Sequence, residues 1–205
     1  MIKAYACYNK DEIERENSSS GGIFPLLARD VINNNGIVYA ACYDEKLEVI
    51  HKRISDLDSI YYAQGSKYVS SRVSDAYRQV IMDLENGRAV LFVGTPCQCA
   101  GLDSFLKYLG KDRKQVILVD FVCHGVPSHI PWDSYKKSFS SKNGTLVSVN
   151  MRDKSSGWKN GNYSWKEVTD KGKVIVTPRK ESPYLKGMIA NLFLRPSCYE
   201  CRSKE

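Results

Sequence analysis

The 205-residue sequence lacks the features that would place it in a membrane or outside the cell. It has no uninterrupted run of about 18 apolar residues, the length that crosses a bilayer as a helix. Residues 1–12 lack the apolar region of a secretory signal. Seven cysteines are too few for a disulfide-dense secreted scaffold. We therefore expect a cytoplasmic protein with no membrane span, whose reduced thiols bind metal or take part in chemistry.

Signatures of the common phosphate-binding and nucleic-acid-binding proteins are also missing. The sequence has neither a Gly-x-Gly-x-x-Gly dinucleotide fingerprint nor a phosphate loop ending in Gly-Lys-Ser/Thr. The formal net charge is +7, but Lys and Arg are spread along the chain without a basic run. We expect no nucleic-acid partner, and the positive balance suits an anionic cofactor or a solvated basic surface.

What the sequence does contain is an alternation of strand and helix over its first two thirds. Buried strands are predicted at residues 37–42, 89–93 and 116–122, and helices at residues 23–32, 74–86 and 102–109. A further strand at residues 49–53 is expected to pair with the first. Strand, helix and strand of these lengths form parallel βαβ units.

The pattern changes beyond residue 138. Strands are predicted at residues 146–151, 163–168 and 174–177, with a hairpin turn at residues 169–172 and a final helix at residues 183–194. That helix is apolar all round, so it should be buried against the hairpin or the parallel sheet. The predicted class is α/β (α+β): a mostly parallel central sheet with βαβ units, plus a C-terminal β-hairpin and helix. The predicted division is residues 1–137, a cofactor-binding core, and residues 138–205.

Four cysteines occupy positions suited to ligation. Cys97 and Cys123 follow the carboxyl ends of predicted parallel strands, where open α/β sheets bind ligands. Cys198 and Cys201 form a Cys-x-x-Cys pair, which could be half a zinc site, a redox dithiol, or nothing. Each thiol could also be a small buried hydrophobe. Taken together, four thiolates are what a 4Fe–4S cluster or a structural zinc ion requires.

Two turns rich in small residues suit an anion. Residues 18–22, Ser-Ser-Ser-Gly-Gly, place hydroxyls and backbone amides at a predicted helix start, which favours a pyrophosphate. The alternative is an ordinary helix cap with a flexible lead-in. Residues 64–68 form a second such turn with Lys67, again suitable for phosphate but unspecific alone.

The remaining histidines and cysteines receive weaker interpretations. His124 follows Cys123 directly, and neighbours on an extended segment point to opposite sides, so a nucleophile–base pair is disfavoured. A structural or cofactor-contacting imidazole is the preferred interpretation. We assign no role to His51 or His129, and no ligand role to the other thiols, which are Cys7, Cys42 and Cys99.

Five short motifs stand in order along the chain: Ser-Ser-Ser-Gly-Gly-Ile-Phe (18–24), Gly-Ser-Lys-Tyr-Val (65–69), Gly-Thr-Pro-Cys-Gln (94–98), Cys-His-Gly-Val-Pro (123–127) and Leu-Arg-Pro-Ser-Cys-Tyr-x-Cys (194–201). Together they resemble the beta-subunit family of coenzyme F420 hydrogenases and dehydrogenases. The resemblance implies an FAD-dependent protein with iron–sulfur clusters and a flavin-binding core in residues 1–137. It implies cofactor contacts from Ser19, Ser20, Gly21, Gly22, Ser66, Lys67, Thr95 and His124. It also implies that the cluster ligands are Cys97, Cys123, Cys198 and Cys201.

The leading hypothesis is therefore an electron-transfer oxidoreductase that couples hydride exchange at FAD to one-electron transfer through a 4Fe–4S cluster. Its expected partners are a hydride carrier, F420 or another, and a redox partner protein or ferredoxin-like domain. One rival is a binding or scaffold protein in which the cysteines hold zinc or structure only. Another is an enzyme of surface-polysaccharide synthesis acting on a nucleotide-linked sugar.

Overall fold

Two β-sheets organise the chain, whose structure, a computed structural model, describes residues 3–157 and 161–204. The first half contains α1 (Glu12–Asn17), α2 (Ile23–Asn33), β1 (Ile37–Tyr43), β2 (Val49–Ile54), α3 (Ile60–Ala63), α4 (Ala76–Glu85), β3 (Val90–Val93) and α5 (Pro96–Tyr108). The second half contains β4 (Val116–Val119), α6 (His129–Asn143), β5 (Leu146–Asp153), β6 (Ser164–Thr169), β7 (Val174–Pro178) and α7 (Pro183–Ile189). Single 3₁₀ turns follow at Pro196–Cys198 and Arg202–Lys204.

The first sheet has the strand order β2-β1-β3-β4. Strands β1, β3 and β4 are parallel, and β2 is antiparallel to β1 at the edge. Both faces of the sheet are covered, since α4 and α5 pack on one face and α2 and α3 on the other. This coverage explains why β1 and β3 are nearly continuous apolar runs. The predicted α/β class with a mostly parallel sheet is confirmed.

The second sheet, β5-β6-β7, is antiparallel, and the predicted hairpin turn joins β6 to β7. Helices α6 and α7 pack on it through an aromatic cluster that includes Trp132, Trp165 and Tyr184. Leu47 and Val49 of the first half belong to the same cluster, so the two sheets share a core. The predicted division after residue 137 falls within α6, and that division stays a prediction.

Three element boundaries differ clearly from the sequence predictions, and one long helix was not predicted. Helix α5 begins at Pro96, not residue 102, because Thr95 and Gln98 form a capping box and Pro96 occupies the first turn. Strand β4 ends at Val119, and the predicted residues 120–122 are exposed. Helix α7 ends at Ile189, since Asn191 adopts a left-handed conformation (φ 59°). Helix α6 was not predicted, because its 15 residues are mostly polar.

No helix within the described ranges is long and apolar enough to cross a membrane.

Candidate functional site

A cavity of about 710 Å³ opens at the carboxyl edge of the first sheet. The ends of two parallel strands line it with Val93 and Val119, and Ala41 contributes from β1. From β1 the chain crosses to β2 on one side, and it later enters β3 on the other. This reversal is the topological switch point at which open α/β sheets bind ligands. The volume lies within the range of about 300–1,000 Å³ typical of cofactor and ligand sites.

The cavity brings together most of the predicted cofactor residues. Its lining includes Ser19, Ser20, Gly22, Ser66, Lys67, Thr95 and His124, together with the predicted cluster ligand Cys123. The two small-residue turns meet directly, because the hydroxyl oxygens of Ser19 and Ser66 are 2.6 Å apart. Thus motifs 47 residues apart in sequence form one wall.

Gly21 is the predicted cofactor residue that does not line the cavity. Its carbonyl oxygen accepts a hydrogen bond from the backbone N–H of Asn9 (2.6 Å), and an added Cβ would lie 3.1 Å from the Cys7 carbonyl oxygen. Gly22 has φ 73°, and a Cβ there would lie 3.2 Å from the Cα of Arg15. Both glycines pack tightly against residues 7–15, so a larger residue would press on that segment as well as on any ligand, and at Gly22 it would also strain the backbone.

Residues 65–71 line the cavity and form hydrogen bonds with β5, with Pro127 and with Arg195. The Tyr68 amide donates to Met151 Sδ on β5 (3.0 Å), and the Ser70 amide donates to the Pro127 carbonyl (3.0 Å). Arg195 donates to Ser70 Oγ (3.1 Å). This stretch of chain thus contacts both the second sheet and the C-terminal segment at the cavity.

Three basic side chains line the cavity: Lys67, Arg152 and Arg195. Lys67 Nζ donates to backbone carbonyls, including those of Gln64 (2.9 Å) and Ala63 (3.2 Å), and burial lowers the pKa of Lys67 to about 8. Arg152 stacks over the Tyr163 ring at 5.0 Å, and its buried Nε has no hydrogen-bond partner in the part of the chain that the structure describes. Within the described residues, neither these two nor Arg195 lies within 4.0 Å of a carboxylate. Such a group of cations is suited to a bound anion.

His51 is a lining residue that the sequence interpretation missed. Its ring stacks on Phe92 (4.9 Å between centroids), and its Nε2 lies 3.1 Å from the Val93 carbonyl oxygen. Because a carbonyl only accepts, Nε2 carries the proton. Nδ1 is buried with no hydrogen-bond partner among the described residues and keeps its lone pair. Burial lowers the His51 pKa to about 4, so the ring is neutral at pH 7. The available signal was its position two residues after buried Val49 on one strand.

Arg152 and Arg195 were also missed. No local motif marks Arg152, and no cofactor contact was expected of Arg195 although it lies in the motif at residues 194–201. Arg152 lies on β5, far along the chain from the serine–glycine turn, and tertiary contacts such as the hydrogen bond from the Tyr68 backbone amide to Met151 bring it to the cavity. Because residues of both sheets line the cavity, its full lining could not be predicted from residue spacing in the sequence.

Cys97 and Cys123 lie at equivalent positions after two neighbouring strands, β3 and β4. Val93 pairs with Val119 on adjacent parallel strands, and Cys97 and Cys123 each lie four residues further on. Cys97 is exposed in the first turn of α5, with its sulfur 3.1 Å from Thr95 Oγ1.

Two thiols outside the predicted ligand set are buried in the first sheet's cores. Cys99 packs among the side chains of α4 and α5, and burial raises its pKa to about 11. Cys42 is fully buried on β1, and burial likewise raises its pKa. Both are thus held as neutral thiols, which are poor metal ligands.

The Cys-x-x-Cys segment docks beside Cys123. Leu194 forms a β-bridge with Pro127, and the Arg195 amide donates to the Val126 carbonyl (3.0 Å). A Cβ added to Gly125 would lie 3.4 Å from the Cys198 Cβ. Residues 202–204 contact α5, the helix that carries Cys97. The segments that carry all four predicted ligands therefore meet.

The thiol chemistry of these segments suits a cluster, but the ligands are not assembled. In residues 3–157 and 161–204, no three His, Cys, Asp or Glu side chains are grouped so as to hold a metal ion. The ligand set of Cys97, Cys123, Cys198 and Cys201 stays a prediction.

Comparison with solved structures finds the same fold in a chain of the F420-reducing NiFe hydrogenase complex from Methanosarcina barkeri. The match has a TM-score of 0.63 at 16% identity and covers 98% of this chain and 69% of that one. At this identity, the match establishes the fold alone. No curated protein sequence matches the chain.

The family comparison rests on sequence and is independent of the coordinates. Residues 87–204 match the family model for the C terminus of the coenzyme F420 hydrogenase/dehydrogenase beta subunit. The matched stretch contains the α5 cap, the segment of Cys123 and the Cys-x-x-Cys segment. Since the match spans more than half of the sequence, the chain belongs to the family of coenzyme F420 hydrogenase and dehydrogenase beta subunits.

Proposed function

We propose that this chain is a cytoplasmic, FAD-dependent oxidoreductase that exchanges hydride with a soluble carrier, F420 or another, and single electrons with a redox partner through a 4Fe–4S cluster. The observation that carries the proposal is the cavity at the switch point, where Lys67, Arg152 and Arg195 have no carboxylate within 4.0 Å among the described residues. Bound FAD supplies hydride and single-electron chemistry, and a cluster supplies one-electron transfer.

Loop and helix residues at the carboxyl edge of the first sheet would hold the pyrophosphate. Helix α2 begins at the cavity with Gly22 at its N-cap, so its first amides have no capping side chain from that position. The hydroxyls of Ser19 and Ser66 lie beside them, and Lys67 adds a positive charge. Amides, hydroxyls and a lysine at a helix start form a favourable anion site.

The second sheet and α7 would close the cavity around the ring system. Leu185 and Met188 of α7 and Phe24 of α2 supply apolar lining, and Arg152 adds a charge from β5. Neutral His51 beneath the cavity, on Phe92, avoids a buried positive charge there. Cys123 lines the cavity and lies on the segment that docks the Cys-x-x-Cys pair, which would place the cluster ligands next to the flavin site.

The decisive experiment measures FAD affinity of the anaerobically purified protein by quenching of flavin fluorescence. Arg152→Met should weaken binding by at least about 10-fold, because a hydrogen bond to a charged group contributes roughly 1.5–3 kcal/mol. Arg179→Met is the matched control, since Arg179 also stacks on Tyr163 (5.5 Å) but does not line the cavity. Equal affinities of the two variants, or no FAD binding by the unmodified protein, would refute the flavin site.

Metal content separates the proposal from a zinc scaffold. Anaerobic reconstitution should load iron and sulfide, and Cys123→Ser should lower the iron content. A colourless protein that binds one zinc ion in place of iron would favour a structural role for the cysteines.

A further inference from the structure

Five large apolar side chains are exposed around the segments of Cys123 and Cys198. They are Phe121 and Val122 after β4, Ile189 at the end of α7, Leu192, and Tyr199 within the Cys-x-x-Cys pair. The least exposed, Ile189, retains 45% of its accessible surface, and Val122 is fully exposed. We name these five residues the apolar patch. Apolar side chains exposed singly are common on protein surfaces, but a group of five marks a contact site.

Hydrogen bonds to Asn191 bring together the segments that carry the patch. His124 Nε2 lies 2.6 Å from Asn191 Oδ1, which brings the residues after β4 against the turn that carries Leu192. The Tyr199 hydroxyl donates to the Asn191 carbonyl. Phe121, Val122 and Ile189 also border the cavity, so the patch lies at its mouth.

The surroundings of the patch are basic. Residues 186–204 contain Lys186, Arg195, Arg202 and Lys204 against Glu200 alone, and residues 117–128 add only Asp120. Across the described residues, neither Lys186 nor Arg202 has a carboxylate within 4.0 Å. The whole chain carries a formal charge of +7. An acidic surface would therefore be attracted to this face, and the attraction would weaken with salt.

We infer that the apolar patch is the docking surface for an acidic protein that carries a one-electron centre. This inference rests on the proposed function, since it supplies the exit for single electrons. Cys123 and Cys198 are partly exposed and lie beside the patch, so a partner seated there reaches the predicted ligand segments directly. An apolar centre with a charged rim is the usual anatomy of a protein interface, and small, transient ones are typical of redox encounters.

The experiment titrates the full chain with a plant-type 2Fe–2S ferredoxin, which is acidic, and with cytochrome c, a basic one-electron carrier. Binding is measured by calorimetry at low and physiological salt, and FAD content is measured on the same samples. The variants are Leu192→Glu and Leu192→Lys, because Leu192 does not line the cavity. Met82→Glu is the control, since Met82 is comparably exposed on α4.

We expect ferredoxin to bind and salt to weaken the complex. Leu192→Glu should reduce affinity at least about 10-fold, Leu192→Lys less, and Met82→Glu not at all. Equal binding by Leu192→Glu and unmodified protein, equal binding of cytochrome c, or no ferredoxin binding would overturn the inference. So would a second copy of the chain on the patch, seen as a dimer in sedimentation that Leu192→Glu dissociates. Normal FAD content with no ferredoxin binding refutes the docking surface alone, whereas absence of FAD refutes the proposed function.

Discussion

A buried carboxylate against the first sheet and another within the second have pKa values that are shifted in opposite directions. Beside the first sheet, Asp83 of α4 accepts two hydrogen bonds from Arg53 (2.8 and 2.7 Å) and one from the Tyr39 hydroxyl (2.6 Å). Burial alone would raise the pKa of Asp83, but these donors hold it below its usual value. In the second, Glu167 accepts from the Tyr135 hydroxyl (2.8 Å) and forms no ion pair in the described residues, so burial raises its pKa.

The surrounding cores explain this difference. The first sheet is packed mainly by aliphatic side chains, and its edge strand β2 lets Arg53 reach Asp83 while remaining partly exposed. The second sheet packs an aromatic cluster in which Glu167 is only 2% exposed, too enclosed for a hydrated cation. The ionised form of Asp83 therefore stabilises the first sheet, whereas the neutral form of Glu167 is favoured in the second. The cavity lies where the two sheets meet.

The largest expected effect tests whether the aromatic cluster holds the sheets together. Trp132 is fully buried, and its Nε1 donates to the Leu47 carbonyl (2.6 Å) in the turn between β1 and β2. Trp132→Ala should lower the free energy of unfolding in urea by about 3–5 kcal/mol. Tyr108→Ala, at an exposed site on α5, should change it by less than about 0.5 kcal/mol. A loss below about 1 kcal/mol for Trp132→Ala would mean that the sheets do not depend on this contact.

The second prediction sharpens the contrast between the carboxylates. At pH 7, Asp83→Asn should destabilise the protein by about 1–3 kcal/mol, because Arg53 loses its ionised partner. Glu167→Gln should be neutral or stabilising, since the amide keeps an acceptor for Tyr135 without requiring buried charge.

The pH dependence of these variants follows from the two pKa directions. The contribution of Asp83 is present above its unfolded pKa of about 3.9 and is lost as pH falls through its lower folded value. The contribution of Glu167 is present below its unfolded pKa of about 4.3 and is lost as pH rises through its higher folded value. Urea midpoints measured from pH 3 to 8 check both; parallel profiles for the two variants would contradict the contrast.

The same comparison shows what the sequence could predict. The strands and helices of the first sheet have continuous apolar runs or helical spacing, so its architecture was predictable. The places of the serine–glycine turn and Lys67 in the cavity lining were also predictable, because both belong to local motifs. Helix α6 was missed because only Trp132 and Phe139 of its side chains are buried. Arg152 reaches the cavity by tertiary contact alone, and the motif that contains Arg195 was interpreted only through its cysteines. His51 was assigned no role because its sequence context is polar.

The third prediction concerns Lys67, which lines the cavity from the segment between α3 and α4. Its pKa of about 8 in the folded, ligand-free protein lies below the usual value of about 10.4. Between these two pH values, the unfolded chain therefore binds more protons at Lys67 than the folded chain does. Stability should therefore rise from pH 8 to pH 10. Lys67→Met should abolish that rise, stabilise the ligand-free protein at pH 7 by about 1–3 kcal/mol, and weaken FAD binding. Thermal unfolding without ligand and an FAD titration check it; a destabilised variant with normal FAD affinity would contradict both roles.

The smallest expected effect on stability lies where the segments carrying the predicted ligands meet. Gly125 has φ 135°, and an added Cβ would lie 2.8 Å from Leu194 Cδ1 and 3.4 Å from the Cys198 Cβ. Gly125→Ala should lower the free energy of unfolding by about 1 kcal/mol, because the Leu194 side chain can move but the backbone is strained. Its main effect is local: displacement of Leu194 loosens the Cys-x-x-Cys segment, so alkylation of Cys198, followed by peptide mass spectrometry, should accelerate. Gly172→Ala is the control, since φ 74° strains that backbone comparably but no atom lies within 4 Å of the new Cβ. If both variants leave the Cys198 rate unchanged, the contact at Gly125 does not position the Cys-x-x-Cys pair, and its register depends on the bridge between Pro127 and Leu194 instead.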